Sequence, residues 1–214
     1  MVSTRFQRIP GYAVKFSFSQ VEAALAQCHS IADDKRSAFA NRLKHLQKNG
    51  FPPGTKTGRG VAAEYNIGHV LQLAFVLEFN QLGLLPERSA HTVTSNLDTI
   101  HRAVGQCVGY RGIKEEEVFL SFDPSNLIDL MNPLFTDPVK VSFWYYETEA
   151  VQGLFGQWKT PRAPTLDLPR RGRRLAFINV TQLILLLVSY LAGGAHTEKD
   201  IIRAMALWDW RASK

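Results

Sequence analysis

With 214 residues, of which 45% are hydrophobic and 21% charged, the chain has the composition of folded globular protein and room for one large or two small domains, so disorder is not its default. The net charge of +6 is unevenly placed: residues 1–65 hold ten Lys/Arg against four Asp/Glu, while residues 66–214 hold fifteen of each. A basic excess confined to the first third is the electrostatic footprint of a nucleic-acid binder, although basic faces also occur on proteins that bind none.

Two cysteines, Cys28 and Cys107, and no signal-peptide pattern at Met1 predict a reducing, cytoplasmic setting. Neither belongs to a Cys-x-x-Cys pair or has His or carboxylate at ligand spacing, so both read as buried small apolar residues and no metal is expected. The longest apolar run, Leu175 to Ala192, is interrupted by Asn179, Thr181, Gln182 and Ser189. It falls short of the roughly 20 residues that span a bilayer, so it predicts a core or interface helix and no membrane partner.

In chain order, Met1 to Phe16 is a basic leader carrying Arg5, Arg8 and Lys15, either tracking DNA phosphates or simply a loose charged terminus. Ser17 and Ser19 are candidate caps for a helix holding Val21, Ala24, Leu25 and Cys28, with Glu22 in the capping-box place after Ser19. Asp33 or Asp34 would cap the next helix. There Phe39, Leu43 and Leu46 form one stripe and Arg36, Asn41, Arg42, Lys44 and Lys48 occupy the others, so that one face packs and the rest can meet an anion. Asn49-Gly50 stops it. The segment Pro52 to Gly60 reads as a turn-rich basic loop carrying Lys56, Thr57 and Arg59. From about Asn66 a helix follows that is apolar nearly all round, through Ile67, Val70, Leu71, Leu73, Phe75, Val76, Leu77 and Phe79.

The stretches F-S-F-S-Q-V-E-A-A-L, R-L-K-H-L-Q-K-N-G-F-P and V-L-Q-L-A-F-V-L-E-F-N-Q-L-G-L, with a basic glycine-rich loop ending at Tyr65, resemble the winged helix-turn-helix domain of MerR-type transcription regulators over about residues 16 to 105. The resemblance implies a scaffold helix, a reading helix with Arg42 and its neighbours in the major groove, a wing whose Lys56 and Arg59 meet phosphate, and a closing helix. It also implies that the next helix pairs with a second subunit. Pro86 suits the first turn of that helix, and Ala90, Val93, Leu97, Ile100 and Val104 recur at the spacing of a narrow seam. The alternative for the seam is packing against the chain's own C-terminal half.

Gly105 to Gly112 reads as a hinge. Beyond it Val118, Leu120 and Phe122 alternate, as do Val139, Val141, Phe143 and Tyr145, predicting two strands. The run Arg170 to Arg174 lies in a loop-like connection, either a solvated loop or a second phosphate contact. A third strand toward Asn179, a helix from Val180 to Ala192 ended by Gly193-Gly194, and a last helix after Thr197 complete a small α+β unit.

No nucleotide-binding, metalloprotease or hydrolase motif occurs, so no catalytic residue and no cofactor is expected. The six histidines are scattered and read as surface or satisfied core residues. Aromatics from Trp144 to Trp158 either line a ligand pocket or form core.

The expected fold is α+β: a basic leader (1–15), a mainly helical winged helix-turn-helix (16–84), a linking or dimerisation helix (85–108) and a C-terminal α+β domain (109–214). The expected function is that of a sequence-specific double-stranded DNA-binding transcription regulator, homodimeric and located at the bacterial nucleoid, with RNA polymerase or another regulator as a further partner. Its DNA-binding residues would be Lys35, Arg36, Ser37, Asn41, Arg42, Lys44, His45, Lys48, Lys56, Thr57 and Arg59, with Asn41 and Arg42 on base edges. The alternatives are a protein–protein adaptor with an incidental basic face and a low-specificity architectural DNA-binding protein.

Overall fold

The structure is a computed structural model that describes residues 14–55, 61–109, 112–114, 117–122 and 176–208, and residues 144–147 by their backbone. A short strand β1 (Lys15–Ser17) leads into α1 (Phe18–Cys28), a 3-10 turn (Asp33–Lys35) and α2 (Arg36–Lys48). Strand β2 (Glu64–Asn66) pairs antiparallel with β1, Phe16 opposite Tyr65, and leads into α3 (Ile67–Gln81). Helices α4 (Pro86–Ser95) and α5 (Leu97–Cys107) follow, then the hairpin β3 (Val108–Gly109) and β4 (Gly112–Ile113). Strand β5 (Val118–Phe122) is the centre of an antiparallel sheet between β6 (Trp144–Glu147) and β7 (Ala176–Asn179). Helices α6 (Val180–Leu191) and α7 (Glu198–Ala206) close the fold, which is mixed α/β, mostly helical, with small antiparallel sheets. Among the described residues no helix is long and apolar enough to cross a membrane.

Local chemistry accounts for the helix ends. Helices α1, α3 and α7 begin in reciprocal capping boxes, Ser17 with Gln20, Asn66 with His69 and Thr197 with Asp200. Helices α1, α2 and α3 end alike: a positive-φ residue (Ser30, Gly50 or Gly83) turns the chain, and the next N–H bonds back into the last turn, Ile31 to Ala26, Phe51 to Leu46 and Leu84 to Phe79. Two start signals differ from expectation. The β1–β2 ladder extends the backbone to Ser17, so α1 starts two residues before a Ser19 cap would allow, and Gln20 takes the box place expected of Glu22. The 3-10 turn, with Lys35 N–H bonded to Ala32 and Arg36 N–H to Asp33, occupies the donors that an Asp33 or Asp34 side chain would have met, and Lys35 becomes the uncapped first position before α2.

Among the described residues one hydrophobic core runs from Val14 to Trp208 through every helix. Helix α3 is buried on nearly all sides. Helix α6 packs on α1, and α7 packs on α3, α5 and α6. Two fixtures tie the C-terminal helices to the first third: the His196 ring donates to the Lys15 carbonyl at 3.1 Å and stands edge-on to Phe16, and the Trp208 indole lies against Gly68 in the first turn of α3.

The stripe expected to face a second subunit is enclosed by this core. Val93, Leu97, Ile100 and Val104 are buried and Ala90 is half-buried against them, and the helix that would have carried all five breaks at Asn96 into α4 and α5. Of the expected hinge, Gly105 lies inside α5, and Gly112, at positive φ, pairs with Gly109 across β3 and β4, while residues 110 and 111 lie outside the described residues.

The C-terminal unit also repeats the N-terminal one. Leu183, Ile201, Met205 and Trp208 follow their cap Asn179 at the same intervals at which Val21, Phe39, Leu43 and Leu46 follow Ser17, and all eight are buried. Thus β7–α6–turn–α7 has the layout of β1–α1–turn–α2, and the two first helices, α1 and α6, pack on each other.

Candidate nucleic-acid interface

Helix α2 buries Phe39, Leu43 and Leu46 and turns the rest of its surface outward. Ser37, Asn41, Lys44 and Lys48 recur along the opposite side as one exposed stripe, with Arg42 and His45 exposed on its flank. His45 and Lys48 lie in the last turn, where the helix dipole favours positive charge.

The cations on this face are not equivalent. Arg36 is only partly exposed and gives Nε and Nη2 to the two carboxylate oxygens of Glu22, both at 2.9 Å. This bidentate pair raises the affinity of the guanidinium for its proton and ties α2 to α1. Arg36, expected at DNA, is therefore a strut between the two helices. Lys35 pairs with Asp34 at 3.0 Å, but both side chains are about 70% exposed, so water and salt leave the ammonium largely available. The Lys44 ammonium stands 5.7 Å from the Phe18 ring centre, a cation–π contact that aims it toward the start of α1. His45 lies 3.8 Å from Glu87 and 3.1 Å from the Asn49 amide. Arg42 and Lys48 have no acidic partner among the described residues. Lys56, Thr57 and Arg59 lie outside the described residues, as do the basic leader up to residue 13 and the run Arg170 to Arg174.

Glu22 is a residue that sequence reading assigned to a cap and the fold pairs with Arg36 of α2. We expect Glu22→Ala to lower stability by about 1 kcal/mol in urea unfolding, because it leaves a half-buried guanidinium without its acceptor; an unchanged midpoint would show that water replaces the carboxylate fully.

Neither thiol suits nucleophilic chemistry. Burial, with Glu78 nearby, pushes Cys28 up to about 12, and burial raises Cys107 as well. Among the described residues no three His, Cys, Asp or Glu side chains group as a metal site. Comparisons with protein-family models, curated proteins and solved structures found no match. What the interface can do is therefore read from its own residues. It offers three cations with no acidic partner among the described residues, Arg42, Lys44 and Lys48, further cations at its edges, and amide and hydroxyl groups between them on a convex helical face. That combination suits a polyanion carrying hydrogen-bonding base edges.

Proposed function

We propose that this protein is a sequence-specific double-stranded DNA-binding transcription regulator of the cytoplasm, built on a MerR-like winged helix-turn-helix and acting as a homodimer. The observation that carries the reading is the outward face of α2, on which Ser37, Asn41, Arg42, Lys44, His45 and Lys48 are exposed together while the apolar stripe behind them is buried. Asn41 and Arg42 read base edges, and Lys44, Lys48, Lys56 and Arg59 neutralise phosphates. Because the Val93–Val104 stripe is internal, the contact between subunits lies elsewhere on the molecule.

The test is recovery of fragmented genomic DNA on the purified protein at physiological salt, with Arg42→Ala beside it. We expect a few fragments sharing a two-part site, and loss of about 1 to 3 kcal/mol of discrimination in the variant. Equal losses on cognate and random DNA would remove Arg42 from base reading, and even, salt-sensitive recovery would point to an architectural protein. A second reading, a protein–protein adaptor, is favoured by Leu185, Leu186 and Tyr190, which are 41%, 37% and 42% exposed along the outer side of α6. Recovery of no DNA would move the assignment there.

A further inference from the structure

Helix α6 buries one side in the core, and its contact with α1 is how the two strand–helix–helix units already meet within the chain. Its other side is open to solvent. Gln182, Leu185, Leu186, Ser189 and Tyr190 are all exposed and recur at intervals of three, one, three and one residues, so they line up as a single stripe along a helix about 18 Å long. Of the seven large hydrophobic side chains exposed among the described residues, three stand on this stripe. They form a patch, unlike the scattered single residues of an ordinary surface.

Two properties of the stripe say what covers it. First, it carries no charge: between Arg174 and Glu198 the chain contains no Asp, Glu, Lys or Arg. In a two-fold contact each residue near the axis faces its own copy, so a charge there would repel itself, and a neutral face is what such a contact requires. Second, the stripe is complementary to itself when run antiparallel. Leu186 is its midpoint, with Gln182 four residues before it and Tyr190 four residues after. A second copy laid across it with the axis at Leu186 sets leucine against leucine in the middle. At both ends it sets Gln182 opposite the partner's Tyr190, where amide and hydroxyl can share a hydrogen bond.

We propose that the outer stripe of α6 is the surface through which two copies of this protein pair, antiparallel about a two-fold axis at Leu186. The inference rests on the homodimer reading above and supplies the contact that the internal Val93–Val104 stripe does not make. Its footprint, about 18 Å by about 10 Å on each copy, is well below the roughly 800 Å² per partner of a standard interface. Pairing in free solution is therefore weak, and two half-sites on one DNA strengthen it by holding the copies at high effective concentration.

The test is sedimentation velocity of the full chain without DNA, over about 5 to 500 μM, for wild type, Leu186→Glu and Leu186→Lys, each checked for an unchanged melting temperature. We expect wild type to pass from monomer to dimer across this range. Each variant should raise the dissociation constant at least about tenfold, because like charges then meet at the axis, and an equimolar mixture of the two should restore the dimer, because Glu then faces Lys. Tyr190→Ala, expected to weaken pairing about fivefold, serves should the Leu186 variants fail to fold. A dimer that none of these changes weakens, or a mixture that pairs no better than its components, would overturn the proposal. Wild type that stays monomeric throughout would overturn it too and hand the face to the adaptor reading. If protein that pairs in this way recovers no DNA, the DNA-binding reading falls and the contact stands; if protein that does not pair recovers two-part sites, the contact falls and the DNA-binding reading stands.

Discussion

Gly68→Ala will destabilise this protein by about 3 kcal/mol, lowering the melting temperature by about 6 to 12 °C. The direction is the reverse of what helix propensity dictates. Alanine inside a helix ordinarily gains about 1 kcal/mol over glycine. Here a Cβ would stand 2.3 Å from Trp208 Nε1 and 2.9 Å from Cδ1, distances that no packing tolerates. The indole is rigid and only 8% exposed, and its backbone is held by two bonds, its N–H to Met205 at 3.2 Å and its carbonyl from the His101 ring at 2.7 Å. The added methyl must therefore push the whole Trp208 turn off α3 and open core between α3 and the last helix. Thermal and urea unfolding of Gly68→Ala, Trp208→Ala and the double variant will separate the causes. If expulsion of the indole is the mechanism, the double variant loses less than the two singles combined. A Gly68→Ala protein more stable than the wild type would show that the C-terminal turn does not sit where the structure places it.

Acidification from pH 7 to 5 will cost about 2 kcal/mol through His29 alone. This residue ends α1 with its side chain 2% exposed; Nδ1 takes the Gln81 amide proton at 2.7 Å, and Nε2 has no partner among the described residues. Burial lowers it from 6.5 to about 4, so the ring is neutral when folded and the 3.5 Å approach of Glu78 is not an ion pair at neutral pH. The sign follows from proton binding. Below 6.5 the unfolded chain takes up a proton that the folded chain refuses until about 4, so stability is complete above that window and declines as pH falls through it. The limiting slope is about 1.4 kcal/mol per pH unit. His69, also lowered by burial, adds in the same direction, and Glu78, raised by burial, opposes as it gains its proton in the fold. Urea unfolding at pH 7 and pH 5 on wild type and His29→Gln isolates the contribution: the variant should lose about 2 kcal/mol less between the two conditions. Equal pH dependence in both proteins would assign the acid limb elsewhere.

Several elements were legible in the residue order because their causes are local. The Phe39–Leu43–Leu46 stripe and the Asn49-Gly50 stop mark out α2, the all-round apolar run from Ile67 requires a buried helix, and the alternation of Val118, Leu120 and Phe122 gives a strand. The outward basic face of α2 was legible for the same reason, since burying one stripe leaves the others to solvent. The Asn66-x-x-His69 spacing was visible too, and it marks the capping box at the start of α3.

What residue order could not supply was the identity of distant partners. Ala90 to Val104 form a regular apolar stripe, and such periodicity says that the face must be covered, not whether a second subunit or the chain's own core covers it; here the core does so. Arg36 reads as an exposed cation until the helix turn brings Glu22 within 2.9 Å. Ser17 overrides Ser19 as a cap because β1 pairs with a strand far along the chain. Gly68 looks like an ordinary weak point in a helix, and only the docking of Trp208 makes it indispensable. Capping and periodicity act over one or two turns, so the sequence alone determines helices, strands and the faces that must be buried. Which buried face meets which is settled by packing between residues remote along the chain, and only the tertiary structure decides that.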